Sequence, residues 1–244
     1  MTAGQCLNCD ATLQDTQHFC GACGQRTTPR RLTFGQMLSD FVHALTHADH
    51  SIFALIRGLA FRPGHVSREY VDGKRKKHFG PLAFLLLTVG LASFMIVATG
   101  VKFFSPVGES AAAEFLQRHI NLVILLQMPL LAGACTLLFW DEKLHYAEHL
   151  VLSAYTSGFR ILVLGLVATP AIALSKISPA SPAFVPWYIG LWLAYFSFAA
   201  AQFYRAGNVF WVITRAVLAA VIGQVVTIYT IYVFIVLFER LRTH

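Results

Sequence analysis

The chain is 244 residues long, 56% hydrophobic and only 13% charged, with 20 Phe, 8 Tyr and 4 Trp. Soluble domains carry roughly 25% charged residues, so this composition excludes an ordinary water-soluble globule and implies an integral membrane protein. The net charge of +7 is concentrated at the front, where residues 1–80 hold ten Lys and Arg against six Asp and Glu.

No apolar stretch of the signal-peptide kind occurs between Met1 and Arg31, so the N-terminus is expected to be retained on the side of synthesis. Residues 6–23 instead hold two Cys-x-x-Cys pairs, Cys6/Cys9 and Cys20/Cys23, ten residues apart. Each pair can offer two thiolates to one tetrahedral ion, and four sulfurs complete a closed structural Zn2+ site. A segment this short cannot bury enough surface to fold alone, so the metal supplies its folding energy. Gly21 and Gly24 suit the tight knuckle around the second pair. His18, beside Cys20, is a bystander once four sulfurs are present. Cys135 lies apart in an apolar run.

Residues 26–31 read as a linker broken by Pro29. Phe34, Met37, Leu38, Phe41, Val42 and Leu45 then share one helical face, with Thr33 as N-cap. His43, His47 and His50 lie on the opposite, wet face. A second short helix is expected over Ser51–Phe61, ended by Pro63-Gly64. Both helices carry charge and are expected to lie in the interface or on the cytoplasmic ends of the spans. Arg62 to Pro81 then reads as a juxtamembrane loop. Its run Lys74, Arg75, Lys76 and Lys77 sits just before an apolar segment, where it marks the cytoplasmic side and fits anionic lipid headgroups better than nucleic acid.

These residues carry a resemblance. The cysteine pairs ending Cys23-Gly24-Gln25, then Leu32-Thr33, Pro63-Gly64, Tyr70-Val71-Asp72-Gly73-Lys74-Arg75 with Pro81, and Glu148-His149-Leu150-Val151 resemble bacterial membrane proteins with an N-terminal zinc ribbon, a family known only as a domain of unknown function. The resemblance implies a multi-span inner-membrane protein and assigns no activity.

Five apolar runs follow, at residues 81–101, 120–140, 150–174, 184–204 and 209–238. At about 1.5 Å per residue each is long enough to cross a hydrocarbon core of about 30 Å. Trp140, Trp187, Tyr188 and Tyr204 stand near run ends as an aromatic belt. With Met1 inside, the inner side collects twelve Lys and Arg and the outer side five, as the positive-inside tendency requires. The predicted organisation is a zinc ribbon and linker over 1–30, interfacial helices and the basic segment over 31–80, and a transmembrane bundle over 81–244. The fold class is mainly α: a polytopic membrane helical bundle.

Two features bear on chemistry. His145-Tyr-Ala-Glu148-His149 spells an inverted zincin pattern, in which two imidazoles bind zinc and the glutamate activates water. No third ligand stands at a diagnostic spacing, so the cluster reads first as a polar boundary and second as another metal site. Arg160 and Arg215 fall inside apolar runs, where a lipid-facing cation costs roughly 2.5–3.5 kcal/mol on insertion scales. They are expected to face the bundle interior, to snorkel, or to meet an acid such as Glu142 or Glu148, with Asn121, Gln127 and Gln224 as further polar neighbours. The sequence thus reads as a non-enzymatic membrane protein whose ribbon docks a protein partner or regulates. A small transporter or lipid-handling protein and a membrane zinc hydrolase are the alternatives.

Overall fold

The computed structural model describes residues 4–14, 17–27, 33, 35, 51–101, 115, 120–175, 184–205 and 207–242. The helix expected from Phe34 to Leu45, with His43, His47 and His50, lies outside the described residues. Within them the chain is helical and has no strand, only isolated bridges in the ribbon. Helix α1 spans Ser51–Phe61 and α2 spans Pro63–Val71. Then come α3, Pro81–Thr99, and α4, Ile120–Leu138. Helix α5 runs Tyr146–Ser175, α6 Phe184–Phe203 and α7 Val209–Arg242. Three of these, α3, α5 and the Val209–Phe238 part of α7, are long and apolar enough to cross a membrane.

Each apolar run became a helix because it offers uninterrupted backbone hydrogen bonding where water cannot help. The boundaries shifted for local reasons. Residues 63–71, read from the sequence as loop, form α2: Pro63 stops α1 and then occupies the first turn of the next helix, where its missing N–H is not needed. Helix α5 starts at Tyr146 rather than Leu150, because the Glu148 carboxylate accepts the His145 backbone N–H (2.8 Å) and caps the new first turn. Near its far end, Leu164–Ala168 is a π turn. Pro170 has no N–H to give the preceding turn, and Thr169 Oγ1 donates to the Leu164 carbonyl at 2.8 Å.

Two apolar clusters hold the bundle. One joins α1, α2, α3 and α5 through Leu55, Leu59, Val66, Tyr70, Phe84, Leu85 and Tyr155. The other joins α4, α5, α6 and α7 through Leu131, Cys135, Phe139, Phe196, Phe203 and Ala216. Helices gain little from burying apolar surface out of lipid, so close fit between small residues decides their packing. Gly64 shows this most sharply. A Cβ there would stand 2.0 Å from the Ala199 carbonyl oxygen and 2.5 Å from Gln202 Cβ, so α2 lies directly on the backbone of α6. Tyr195 Oη of α6 donates to the Leu59 carbonyl of α1 at 2.9 Å. The α1–α2 pair is therefore wedged against α5 and α6, while Phe53 and Phe61 stay 75% and 70% exposed on its outer side.

Candidate metal centre and the loop it holds

The ribbon is one small unit used twice. In the first knuckle Asp10 N donates to the Cys6 carbonyl (2.9 Å) and Cys6 N to the Ala11 carbonyl (2.9 Å). In the second, Gly24 N donates to the Cys20 carbonyl (2.8 Å) and Cys20 N to the Gln25 carbonyl (2.8 Å). Isolated bridges Gln5–Thr12 and Phe19–Arg26 close the two turns in the same way. The turn needs a left-handed residue after each pair, supplied by Asp10 (φ 59°) and Gly24 (φ 69°). Gly21, expected to serve the knuckle, is not left-handed and has open space around it. The hydrogen bonds extend the likeness of the two Cys-x-x-Cys pairs to the turns around them.

The two turns face each other and bring the sulfurs of Cys6, Cys9, Cys20 and Cys23 within 4.8 Å of one another. Cys6 Sγ to Cys23 Sγ and Cys9 Sγ to Cys20 Sγ are both 3.6 Å. A disulfide needs about 2.05 Å, whereas a tetrahedron with metal–sulfur bonds of about 2.3 Å has edges of about 3.8 Å. The spacing fits a metal and not two disulfides. Backbone N–H groups of Cys23 and Ala22 aim at Cys20 Sγ and lower its pKa, whereas Cys9, although the Ala11 N–H works to lower it, is pushed up by hydrogen bonds within the thiol cluster. Cys6 and Cys20 are buried. Among the described residues this is the one cluster of His, Cys, Asp and Glu that could hold a metal ion.

Both knuckles grip the basic segment that precedes α3. Gln25, 4% exposed, donates through Nε2 to the Gly73 carbonyl (2.8 Å) and accepts the Lys76 N–H at Oε1 (3.2 Å). Asn8 Oδ1, from the first knuckle, accepts the Lys77 N–H at 3.0 Å. The carboxamides read backbone, leaving the side chains of Lys76 and Lys77 exposed. Gly73 (φ 108°) makes the bend that presents these groups. The chemistry of the cysteines announces a metal site, but nothing in their spacing points to Gln25 or Asn8; the resemblance alone singled out Gln25.

The same segment is tied down from below. Glu69 accepts Lys77 Nζ and pairs with His78 Nε2, both at 2.8 Å. Burial works to raise the Glu69 pKa, yet the bonds from Lys77 and His78 prevail and hold it at about 2. Asp72 links Arg68 of α2 and Arg205 beyond α6, each at 3.1 Å. Tyr155 Oη of α5 donates to the Phe79 carbonyl at 2.7 Å, and its ring meets Tyr70 edge-on at 5.9 Å. Asp72 and Tyr155 thus join the arm to the bundle, while Glu69 braces the loop within the arm. Glu148, a candidate partner for Arg160 or Arg215, caps the start of α5 through its carboxylate.

The inverted zincin pattern is not assembled into a site. Glu148 and His149 are both buried, 5% and 0% exposed. His149 Nδ1 lies 2.8 Å from Tyr204 Oη, which takes Tyr204 out of the aromatic belt and stacks it on Phe139. No third ligand joins His145 and His149 among the described residues. Arg215 stands near the start of α7 and pairs with Asp141 at 2.7 Å, not with Glu142 or Glu148, beside a cleft of about 340 Å³. Arg160 meets no acid among the described residues; Gln127 and the ring of Trp192 are its neighbours.

Residues 49–92 match a family described as a protein of unknown function (DUF3667). The match covers α1, α2, the clasped loop and the first turns of α3, the surface against which the ribbon is held. No curated protein and no solved structure matches the chain.

Proposed function

We propose that this is a non-enzymatic protein of the bacterial inner membrane in which a structural Zn2+ makes the ribbon a clamp on the basic segment Lys74–Lys77. In this reading the ribbon and linker occupy 1–30, the interfacial part 31–80 and a five-span bundle 81–244, with Met1 in the cytoplasm. The carrying observation is the three hydrogen bonds from Gln25 and Asn8 to the backbone of residues 73–77. They fix the loop while the Lys76 side chain stays exposed, the arrangement that suits an anionic lipid headgroup; Lys77 is paired with Glu69. A closed four-thiolate site leaves no coordination position for substrate, so the metal's part is to cross-link the two knuckles. Docking of a protein partner would use the exposed apolar side chains of the ribbon, Leu7 and Phe19, which are 47% and 55% exposed.

The test uses full-length protein in lipid nanodiscs, wild type against Cys6→Ser/Cys23→Ser. Wild type is expected to hold one zinc per chain and to resist trypsin at Lys74–Lys77. The double variant is expected to lose the zinc and to be cut there faster, with α3 to α7 intact. Equal zinc in both proteins, or equal cleavage despite loss of zinc, overturns the clamp.

A further inference from the structure

Helices α4, α5, α6 and α7 form a ring: α4 packs on α5 and α7, and α6 packs on α7 and α5. Arg160 of α5 reaches into the middle of that ring. Its Nη2 donates to Gln127 Oε1 of α4, and Gln127 Nε2 donates onward to Gln224 Oε1 of α7 at 2.5 Å. From α6, the ring of Trp192 lies 4.3 Å from the guanidinium carbon and that of Tyr188 lies 5.9 Å away. Depth agrees across all four helices. At about 1.5 Å per residue, Arg160 and Gln224 lie about 21 and 23 Å from the first residues of α5 and α7. Gln127 and Trp192 lie about 17 Å from the last residues of α4 and α6. Those ends are on the ribbon side, as the Arg205–Asp72 pair shows. The cluster therefore lies near mid-depth.

Polar groups at that depth are normally neutralised within the protein. Here the described residues supply amides and aromatic faces but no carboxylate, and Arg160 Nε has no hydrogen-bond partner. Among the described residues the cation is held in place without being neutralised. Trp192 and Gln127 are buried, 5% and 8% exposed, while Arg160, Tyr188 and Gln224 keep part of their surface, which leaves the guanidinium open to a small ligand.

We infer that the Arg160 cluster is a binding site for a single carboxylate. The charge is one, which matches a monoanion and not a phosphate dianion. The guanidinium fork fits two carboxylate oxygens in its plane. The Gln127–Gln224 relay fixes the fork's orientation, and Trp192 and Tyr188 provide apolar walls for the carbon chain. The same chemistry is offered by a water-borne organic acid and by a fatty acid arriving from the lipid.

Equilibrium dialysis of zinc-loaded protein in nanodiscs separates these sources, using radiolabelled acetate and radiolabelled dodecanoate with protein-free nanodiscs as the baseline. Wild type is expected to bind at least one of them saturably. Acetate binding identifies a water-borne acid, and dodecanoate binding alone a lipid-borne one. Arg160→Lys keeps the charge and loses the fork, and is expected to weaken binding at least tenfold; Gln224→Leu, which leaves Arg160 intact, is expected to weaken it severalfold. Unchanged binding in Arg160→Lys and Arg160→Gln, or saturable binding of neither probe to wild type, overturns the site.

Discussion

Replacing Gln25 with alanine tests the clamp without touching the metal. Gln25 satisfies two backbone groups of the basic loop, the Gly73 carbonyl and the Lys76 N–H, from a buried position. A net hydrogen bond of this kind contributes about 0.5–1.5 kcal/mol, and a buried group left without a partner costs more. Losing both therefore weakens ribbon docking by about 2 kcal/mol, which multiplies the undocked population roughly thirtyfold. The amides of Lys76 and Lys77 report this directly, because their acceptors are Gln25 and Asn8 of the ribbon. Hydrogen exchange measured in nanodiscs should show both amides accelerating in Gln25→Ala while the zinc content stays at wild-type level. Asn8→Ala should accelerate Lys77 far more than Lys76. If Gln25→Ala leaves both rates within about twofold of wild type with the metal in place, the ribbon does not hold the loop through this residue.

Gly64→Ala drives a Cβ into the Ala199 carbonyl and Gln202; overpacking of this kind costs about 1–3 kcal/mol, and the thermal midpoint in nanodiscs should fall. An unchanged midpoint would mean that α2 is not seated on α6. The Glu69 carboxyl, held at about 2 against an ordinary 4.5, contributes stability that is fully present above about 4.5 and lost as pH falls through about 2. The midpoint gap between wild type and Glu69→Gln should close over that window, and a gap independent of pH refutes the pairing with Lys77 and His78. Glu148→Gln should weaken the start of α5 by about 1 kcal/mol through the cap and leave tryptic cleavage at Arg75 unchanged; loss of a zinc-dependent hydrolysis in that variant would establish the enzyme reading instead. Reporter fusions after Arg26, Glu109, Lys143, Lys176, Arg205 and His244 should alternate sides in that order, and a cytoplasmic His244 would mean one span fewer or one more.

The apolar runs were legible from composition because a span is specified one-dimensionally: length and absence of charge suffice when the backbone must satisfy itself. The four cysteines were legible for a similar reason, since a metal site is defined by donor type and local spacing. Helix ends were less so. Residues 63–71 look like loop until Pro63 is seen to begin a helix, and Tyr146–His149 look like a solvated cluster until Glu148 caps it. What each polar residue touches was decided only by the tertiary structure. His149 goes to Tyr204, Arg215 to Asp141, and Arg160 to Gln127 and Trp192, over separations that no periodicity encodes. Gln25 is the clearest case. Beside Cys23 and Gly24 it could be any surface amide, and it becomes a clamp because the folded chain brings the backbone of residues 73–76 within hydrogen-bond reach, 48 positions away. Sequence determines which segments are apolar enough to enter a bilayer and which atoms could bind a metal; only packing in three dimensions determines which polar groups find each other, because a hydrogen bond depends on where two atoms arrive and not on how far apart they lie along the chain.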